Sequence, residues 1–396
     1  MPDGTGMGHA FTSVRWQRAL AWVGQGVSVI DTPTLVIDLD AMDRNLARMA
    51  AFAAERGLRL RPHAKLHKSA ELARLQMAHG AVGVCVQKTD EALALAHGGV
   101  GDIFISNEVI APAKLARLAQ AVRELPTRFA IAVDSALGIA RLAAALAHAG
   151  VERPQAMDVF IEIDVGQGRC GLPPGGAAVA LARQIGDHPA LRFAGLQAYH
   201  GRAQHLRTLA ERQQAIEGAT QAVAATRDAL TAAGIAVPLV TGAGTGSFPL
   251  EAASGVWGEL QTGSYLFMDA DYAANEPHPE APAFEHALFI KTQVMSRGVD
   301  HAVCDAGHKS HAIDSGLPQV TFPDGLLYAN GGDEHGLLRA TEGGTPLPEL
   351  GETVWLIPGH CDPTVNLHDA LVGVRGGLAA GRVERIVRVD ARGAAG

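Results

Sequence analysis

The sequence predicts a (β/α)8 barrel followed by a mainly β domain that an N-terminal strand completes. Three observations carry this expectation. From Leu58 to Tyr265, short apolar β-branched runs alternate with longer Ala/Leu/Arg-rich stretches, the order of a parallel sheet with crossover helices. Eight such runs can be counted, and no GxGxxG follows the first, which favours a closed barrel over an open doubly wound sheet. After Tyr265 the long helical patterns stop, and short strands separated by Gly, Pro and Asp take over.

The eight barrel strands are Leu58–His63, Val82–Gln87, Asp102–Asn107, Arg128–Asp134, Asp158–Val165, Leu191–Tyr199, Val237–Thr241 and Glu259–Tyr265. Helices between them include Ser69–His79, Lys114–Glu124, Ala136–His148, Ala177–Asp187 and the long Thr208–Ala233, where apolar residues recur at three- and four-residue spacing. Ahead of the barrel, Thr34–Asp40 (TLVIDLD) reads as a ninth strand and Ala41–Arg56 as an amphipathic helix. That strand needs another sheet, and His286–Met295, Ala302–Asp305, Thr353–Ile357 and Val383–Val389 supply one. The expected organisation is residues 1–40 joining the β domain, 41–276 as the barrel and 277–396 as the β domain.

With 396 residues, 47% hydrophobic and 19% charged, the chain is too apolar and too varied to be disordered or fibrous. Acidic residues outnumber basic ones, 41 to 33, with no Lys/Arg block to grip a phosphate backbone, so nucleic acid is not an expected partner. Cys85, Cys170, Cys304 and Cys361 are too scattered for a disulfide framework or a CxxC zinc site. Met1–Gly26 lacks the pattern of a cleaved leader, and no stretch is apolar enough to span a bilayer; a cytoplasmic, membrane-free protein is expected. The basic residues are overwhelmingly Arg, and the lysines are only Lys65, Lys68, Lys88, Lys114, Lys291 and Lys309.

Active residues of such barrels sit at the C-terminal ends of the strands. Lys65 follows the first. A lysine there is expected to be desolvated, with a depressed pKa and an amine able to form a Schiff base with an aldehyde. In a chain that uses Arg nearly everywhere, a retained Lys suggests chemistry a guanidinium cannot do, although the bland alternative is a solvated lysine at a loop edge. Lys68, at a helix start, is expected to face water or a phosphate. Thr241–Ser247 (TGAGTGS) is a glycine-rich turn with hydroxyls that can aim backbone N–H groups at a phosphate, with Thr241, Gly244, Thr245, Gly246 and Ser247 as contacts. Together with Lys65 it suggests a pyridoxal phosphate site. Arg169 is then a partner for the pyridine nitrogen, against an alternative salt bridge to Asp164. Tyr199, at a strand end, either lies on the cofactor ring or packs in the core. In Pro358–Thr364 (PGHCDPT), an extended segment turns His360 and Asp362 to the same side and Cys361 away, so the pair can share a hard divalent cation. A lone HxD is more often a surface loop.

These residues resemble the D-threonine aldolase/D-serine dehydratase family of pyridoxal phosphate enzymes with the alanine-racemase-like architecture. The likeness runs through TPTLVIDLD (Thr32–Asp40), RPHAKLHKS (Arg61–Ser69), EIDVGQGRCG (Glu162–Gly171), LQAYHGRAQH (Leu196–His205), ELQTGSYLFMDADY (Glu259–Tyr272), VCDAGHKSHAIDSG (Val303–Gly316) and PGHCDPTVNLHD (Pro358–Asp369). Within the family it is most similar to the 3-hydroxy-D-aspartate aldolases. The resemblance implies Lys65 as the Schiff-base lysine, Arg169 at the pyridine nitrogen, Tyr199 beside the ring, and the Gly244–Ser247 turn with Tyr265 on the phosphate. It also implies His205 as general base beside a magnesium or manganese site at His360 and Asp362, in a homodimer. D-Serine dehydratases of this family carry Cys at the second ligand position, where this chain has Asp362. The implied reaction is cleavage of a β-hydroxy-D-amino acid to glycine and an aldehyde, from 3-hydroxy-D-aspartate or D-threonine. A dehydratase on the same fold is the alternative, and a non-catalytic pyridoxal phosphate carrier a more distant one. His200 is a second imidazole near the mouth and competes for the role of base. For the extra carboxylate of a hydroxyaspartate, Lys309 and Arg202 are candidates.

Overall fold

A computed structural model describes residues 14–396 except 152, 153, 155 and 345; the expectations placed on residues 1–13 lie outside it. Helix α1 (Val14–Leu20) leads to β1 (Thr34–Asp38) and α2 (Leu39–Glu55). Alternation then sets in: β2 (Arg59–Leu60), α3 (Ala70–Ala78), β3 (Val84–Val86), α4 (Thr89–His97), β4 (Asp102–Ile105), α5 (Pro112–Glu124), β5 (Arg128–Val133), α6 (Ala136–His148) and β6 (Met157–Glu162). It continues through α7 (Ala177–Gly186), β7 (Leu191–Ala198), α8 (Leu209–Ala232), β8 (Val240–Gly242), α9 (Phe248–Ser254), β9 (Glu259–Leu260) and α10 (Ala270–Ala273).

Strands β3 to β9 pair in parallel with their sequence neighbours, and β9 pairs with β2. The ring closes where the Val82 N–H donates to Leu60 O and the Cys85 N–H to Pro62 O, both at 2.8 Å. Local sequence sets the helix starts: the side chains of Ser69, Ser135 and Thr208 accept from the first turns of α3, α6 and α8. After β9 only the four-residue α10 follows, and the amphipathic α2 packs beside β2 and the turn after β9, where an eighth outer helix belongs. Its stripe of Leu39, Met42, Leu46, Met49 and Phe52 is buried in a core shared with the second sheet.

That second sheet contains β10 (Leu288–Arg297), β11 (Ala302–Cys304), β12 (Gln319–Phe322), β13 (Leu326–Asn330), β14 (Gly336–Ala340), β15 (Thr353–Ile357), β16 (Ala370–Arg375) and β17 (Arg382–Arg388). Strand β1 lies within it, antiparallel to β10 (Thr34 opposite Lys291) and parallel to β16 (Val36 opposite Val372). The N-terminal strand therefore completes the β domain, as expected from sequence. A helix, α11 (Cys361–Val365), lies between β15 and β16.

Several barrel strands are shorter than the sequence suggests. Pro62, without an N–H to donate, interrupts the run Leu58–His63, and Lys65 sits on a tight 3-10 turn, Ala64–Leu66, rather than at a strand end. Tyr265 likewise lies on a 3-10 turn, Ser264–Leu266, beyond Gly263. Pro238 delays the seventh barrel run, which pairs only from Val240. Strands β12, β13, β14 and β16 went unread because their short runs lie among Gly, Pro and Asp residues, and β12 is exposed enough to lack a buried face.

Candidate active site

The carboxyl ends of the barrel strands converge on a cavity of about 430 Å³. His63 and Lys65 reach it from the turn after β2, Gln167 and Arg169 from the loop after β6, and Tyr199, Arg202 and His205 from the segment after β7. A narrower cleft continues from Lys65 and Tyr199 to Gly244, Thr245, Gly263 and Ser264, with Tyr272 and Asp362 on its wall.

Lys65 is presented by a tightly wound turn: the His67 and Lys68 N–H groups both return to Ala64 O, at 3.2 and 2.7 Å. Its Nζ lies 3.2 Å from Asp362 Oδ2, and its side chain is 42% exposed. The expected depression of its pKa is therefore corrected. The Asp362 carboxylate holds the Lys65 ammonium above its ordinary value, outweighing desolvation. Lys68 is also corrected, since its Nζ is paired with Glu91 at 2.9 Å rather than facing water or a ligand.

The turn after β8 is pressed against Gln204. A Cβ on Gly246 would come 2.5 Å from the backbone oxygen of Gln204, so only glycine fits there, and one on Gly244 would come 2.3 Å from Gln204 Oε1 and displace that side chain. Among the described residues, no protein acceptor is in hydrogen-bond range of the N–H groups of Gly244, Thr245, Gly263 and Ser264. These amides come from the loops after the seventh and eighth barrel strands, a common phosphate-binding position in such barrels. The two outer hydroxyls of the predicted turn are committed elsewhere. Thr241 Oγ1 donates to Glu259 Oε1 and accepts from Gln261 Nε2, both at 2.8 Å inside the barrel. Ser247 Oγ donates to Glu251 Oε1 and accepts from Gln204 Nε2, both at 2.7 Å. Burial pushes the Glu251 carboxyl up to about 7. Tyr265 is corrected in the same way: its amide donates to Thr245 Oγ1 at 3.1 Å, but its hydroxyl accepts from Gln76 Nε2 in the core.

At the opposite end stands Arg169. The alternative salt bridge does not form, because the Asp164 carboxylate accepts the Gly166 and Gly168 N–H groups at 3.0 and 2.9 Å. The Gly171 N–H donates to Asp134 Oδ2 and the Leu172 N–H to Glu162 O, fastening the loop that carries Arg169. Behind it, burial and the neighbouring Glu108 push Glu162 up to about 9. Tyr199 lines both cavities, and burial raises its pKa, keeping it a neutral phenol. Free amides at one end, a lysine and a tyrosine midway and a guanidinium at the other form a donor set that fits pyridoxal phosphate.

His205 ends a 3-10 turn, Arg202–His205, with its Nδ1 2.6 Å from Asp271 Oδ2. Burial works to raise the Asp271 pKa, yet the Arg207 and His205 bonds hold it below the usual range. This carboxylate places the proton of a neutral His205 on Nδ1 and leaves Nε2 as the acceptor. His200 does not line the cavity. It packs against the Gly166 loop, where a Cβ on Gly166 would come 2.9 Å from its Nε2.

The extended HxD segment expected from sequence is corrected: His360 stands at the N-cap position of α11 and Asp362 lies in the helix's first turn. The Cys361 side chain is buried, with its Sγ donating to Met268 O at 3.5 Å, and its N–H donates to Asp269 Oδ2 at 3.0 Å. Asp362 Oδ1 is buried without a partner, and His360 Nδ1 is held by Asp314 Oδ2 at 2.8 Å. Among the described residues no three His, Cys, Asp or Glu side chains cluster as a metal site. An imidazole and a carboxylate with one buried, unpartnered oxygen are donor types that a hard divalent ion accepts, with water or substrate oxygens filling its other positions. Lys309 is removed as a substrate contact: Glu334 and Asp333 neutralise it at 2.7 and 3.3 Å, away from the cavity lining.

Residues 37–271 match the profile of the alanine racemase N-terminal domain, and residues 287–374 that of a serine dehydratase domain. The chain is 46% identical over 372 residues to D-threonine aldolase from Arthrobacter sp, covering 93% of this chain and 95% of that protein. The chain belongs to the D-threonine aldolase family. A 3-hydroxy-D-aspartate aldolase from Paracoccus denitrificans is 43% identical, covering 93% of this chain and 94% of that one. The crystal structure of D-threonine aldolase from Filomicrobium marinum superposes with a TM-score of 0.89 at 45% identity, covering 94% of this chain and 98% of that one. A D-threo-3-hydroxyaspartate dehydratase from Delftia sp. is further off, 32% identical over 85% of this chain and 92% of that one. This family of aldehyde-lyases depends on pyridoxal phosphate and shares the alanine-racemase-like fold. Sequence reasoning missed Gln204, Gly263, Ser264 and Asp271. One signal was present: Thr262-Gly263-Ser264 repeats the Thr245-Gly246-Ser247 run one strand later.

Proposed function

We propose that this chain is a pyridoxal phosphate- and divalent-metal-dependent aldolase that splits the Cα–Cβ bond of a β-hydroxy-D-amino acid. The products are glycine and glyoxylate from 3-hydroxy-D-aspartate, or glycine and acetaldehyde from D-threonine. The observation that carries the reading is that Lys65, His205 and the half-paired Asp362 carboxylate stand at one pair of joined cavities. Bound pyridoxal phosphate supplies the electron sink for carbon–carbon cleavage, and a divalent ion at His360 and Asp362 supplies a Lewis acid for the β-hydroxyl.

The chain's own groups do the rest. The Gly244, Thr245, Gly263 and Ser264 amides hold the phosphate, Tyr199 covers the ring, and Arg169 meets its nitrogen without giving up a proton. Lys65 supplies the amine. His205 accepts the β-hydroxyl proton at Nε2, and Asp271 stabilises the imidazolium that results. The polar wall and enclosed cleft orient the substrate so that the breaking bond faces the ring. We assign the barrel to residues 41–276 and the metal-bearing β domain to residues 277–396 with the N-terminal strand, in a cytoplasmic homodimer. Among the described residues, no helix is long and apolar enough to cross a membrane.

Chelation tests the metal. Treatment with EDTA is expected to lower kcat by roughly 100-fold or more while the cofactor absorbance stays, with recovery on adding magnesium or manganese. Asp362→Ala should not recover. Full activity after chelation would remove the metal from the reaction.

A further inference from the structure

The wall of the 430 Å³ cavity carries three cationic side chains, Lys65, Arg169 and Arg202, and no carboxylate. In a chain of net charge −8 this is a local reversal of sign, and it points to an anionic guest. The proposed function occupies Lys65 and Arg169 with the cofactor. Arg202 is left over.

Its placement is set by the 3-10 turn Arg202–His205, where residues three apart eclipse, so Arg202 and His205 share one side of the turn and both line the cavity. The turn is fastened at both ends. The Gly201 N–H donates to Gln167 Oε1 at 2.7 Å, and Asn275 Nδ2 donates to Gln204 O at 2.8 Å. The β-hydroxyl whose proton the base accepts is bonded directly to Cβ, so a group beside the base lies near the other substituents that Cβ carries.

We infer that Arg202 reads the β-substituent and selects a carboxylate there, making a 3-hydroxy-D-aspartate the preferred substrate class over D-threonine. This rests on the aldolase reading and on His205 as its base. A guanidinium binds a carboxylate through two parallel N–H bonds, whereas a methyl group leaves the charge unpaired, so the same residue attracts one substrate and rejects the other.

The test uses the cofactor-loaded enzyme and two amino acids without a β-hydroxyl, D-aspartate and D-alanine, titrated calorimetrically. The wild type should bind D-aspartate roughly 10-fold or more tighter, Arg202→Lys should keep part of that preference, and Arg202→Leu should abolish it. In turnover, the kcat/KM ratio of 3-hydroxy-D-aspartate to D-threonine should fall by about the same factor in Arg202→Leu. Equal weakening of both amino acids would assign Arg202 to the α-carboxylate, and an unchanged ratio would remove it from recognition; either overturns the inference. Should the wild type cleave neither substrate, the aldolase reading fails, and the D-aspartate to D-alanine ratio still decides the role of Arg202.

Discussion

Lys65→Arg is expected to abolish the near-visible absorbance of the cofactor-loaded protein and to lower kcat on the order of 10⁴-fold. Arginine keeps a cation beside Asp362, which sits 3.2 Å from Nζ, so the fold retains its ion pair. What is lost is the primary amine: a guanidinium stays protonated and does not condense with an aldehyde. Lys65→Ala should show the same spectral loss and, in the metal-free protein, a further drop in stability, because there it leaves the Asp362 carboxylate uncompensated. An arginine variant that kept its absorbance band would move the amine to another residue. Far-ultraviolet dichroism and the thermal midpoint separate loss of chemistry from loss of structure.

The second large effect is expected at His205. His205→Ala should lower kcat by 10²- to 10⁴-fold, on the order set by general-base catalysis, with the cofactor still bound. Asp271→Asn should cost less, roughly 10-fold, because the imidazole remains but loses the carboxylate that orients Nδ1–H at 2.6 Å. The split between the two variants is the informative part. His200→Ala, at an imidazole facing the Gly166 loop, should stay within a few-fold of wild type; if it fell as far as His205→Ala, the two histidines would have to exchange roles.

The barrel was legible because alternation at the strand–helix period survives in sequence even where individual strands are only two residues long, as β2 and β9 are. The β domain was half legible, since its exposed, Gly-punctuated strands carry no such period. Lysine scarcity narrowed the choice to six residues but did not by itself single out Lys65, which the structure places on the cavity wall. Lys68 is held by Glu91, Lys309 by Asp333 and Glu334, and Lys291 is buried with its Nζ on the carbonyls of Val27, Ser28 and Ile30. Position in the barrel decided among them. The glycines drew attention to the turn after β8, but its hydroxyls misled, because composition cannot reveal that Gln204, Glu251 and Glu259 already occupy Ser247 and Thr241. The sign of the Lys65 shift was missed for a related reason. Burial is readable from a strand end, whereas a carboxylate arriving from almost 300 residues later, on α11, is not.

The central claim is bond cleavage between Cα and Cβ, and product analysis addresses it directly. Purified enzyme loaded with pyridoxal phosphate and magnesium or manganese, given 3-hydroxy-D-aspartate, should release glycine and glyoxylate in equal amounts with no ammonia. Oxaloacetate and ammonia without glycine would contradict the account and make the enzyme a dehydratase.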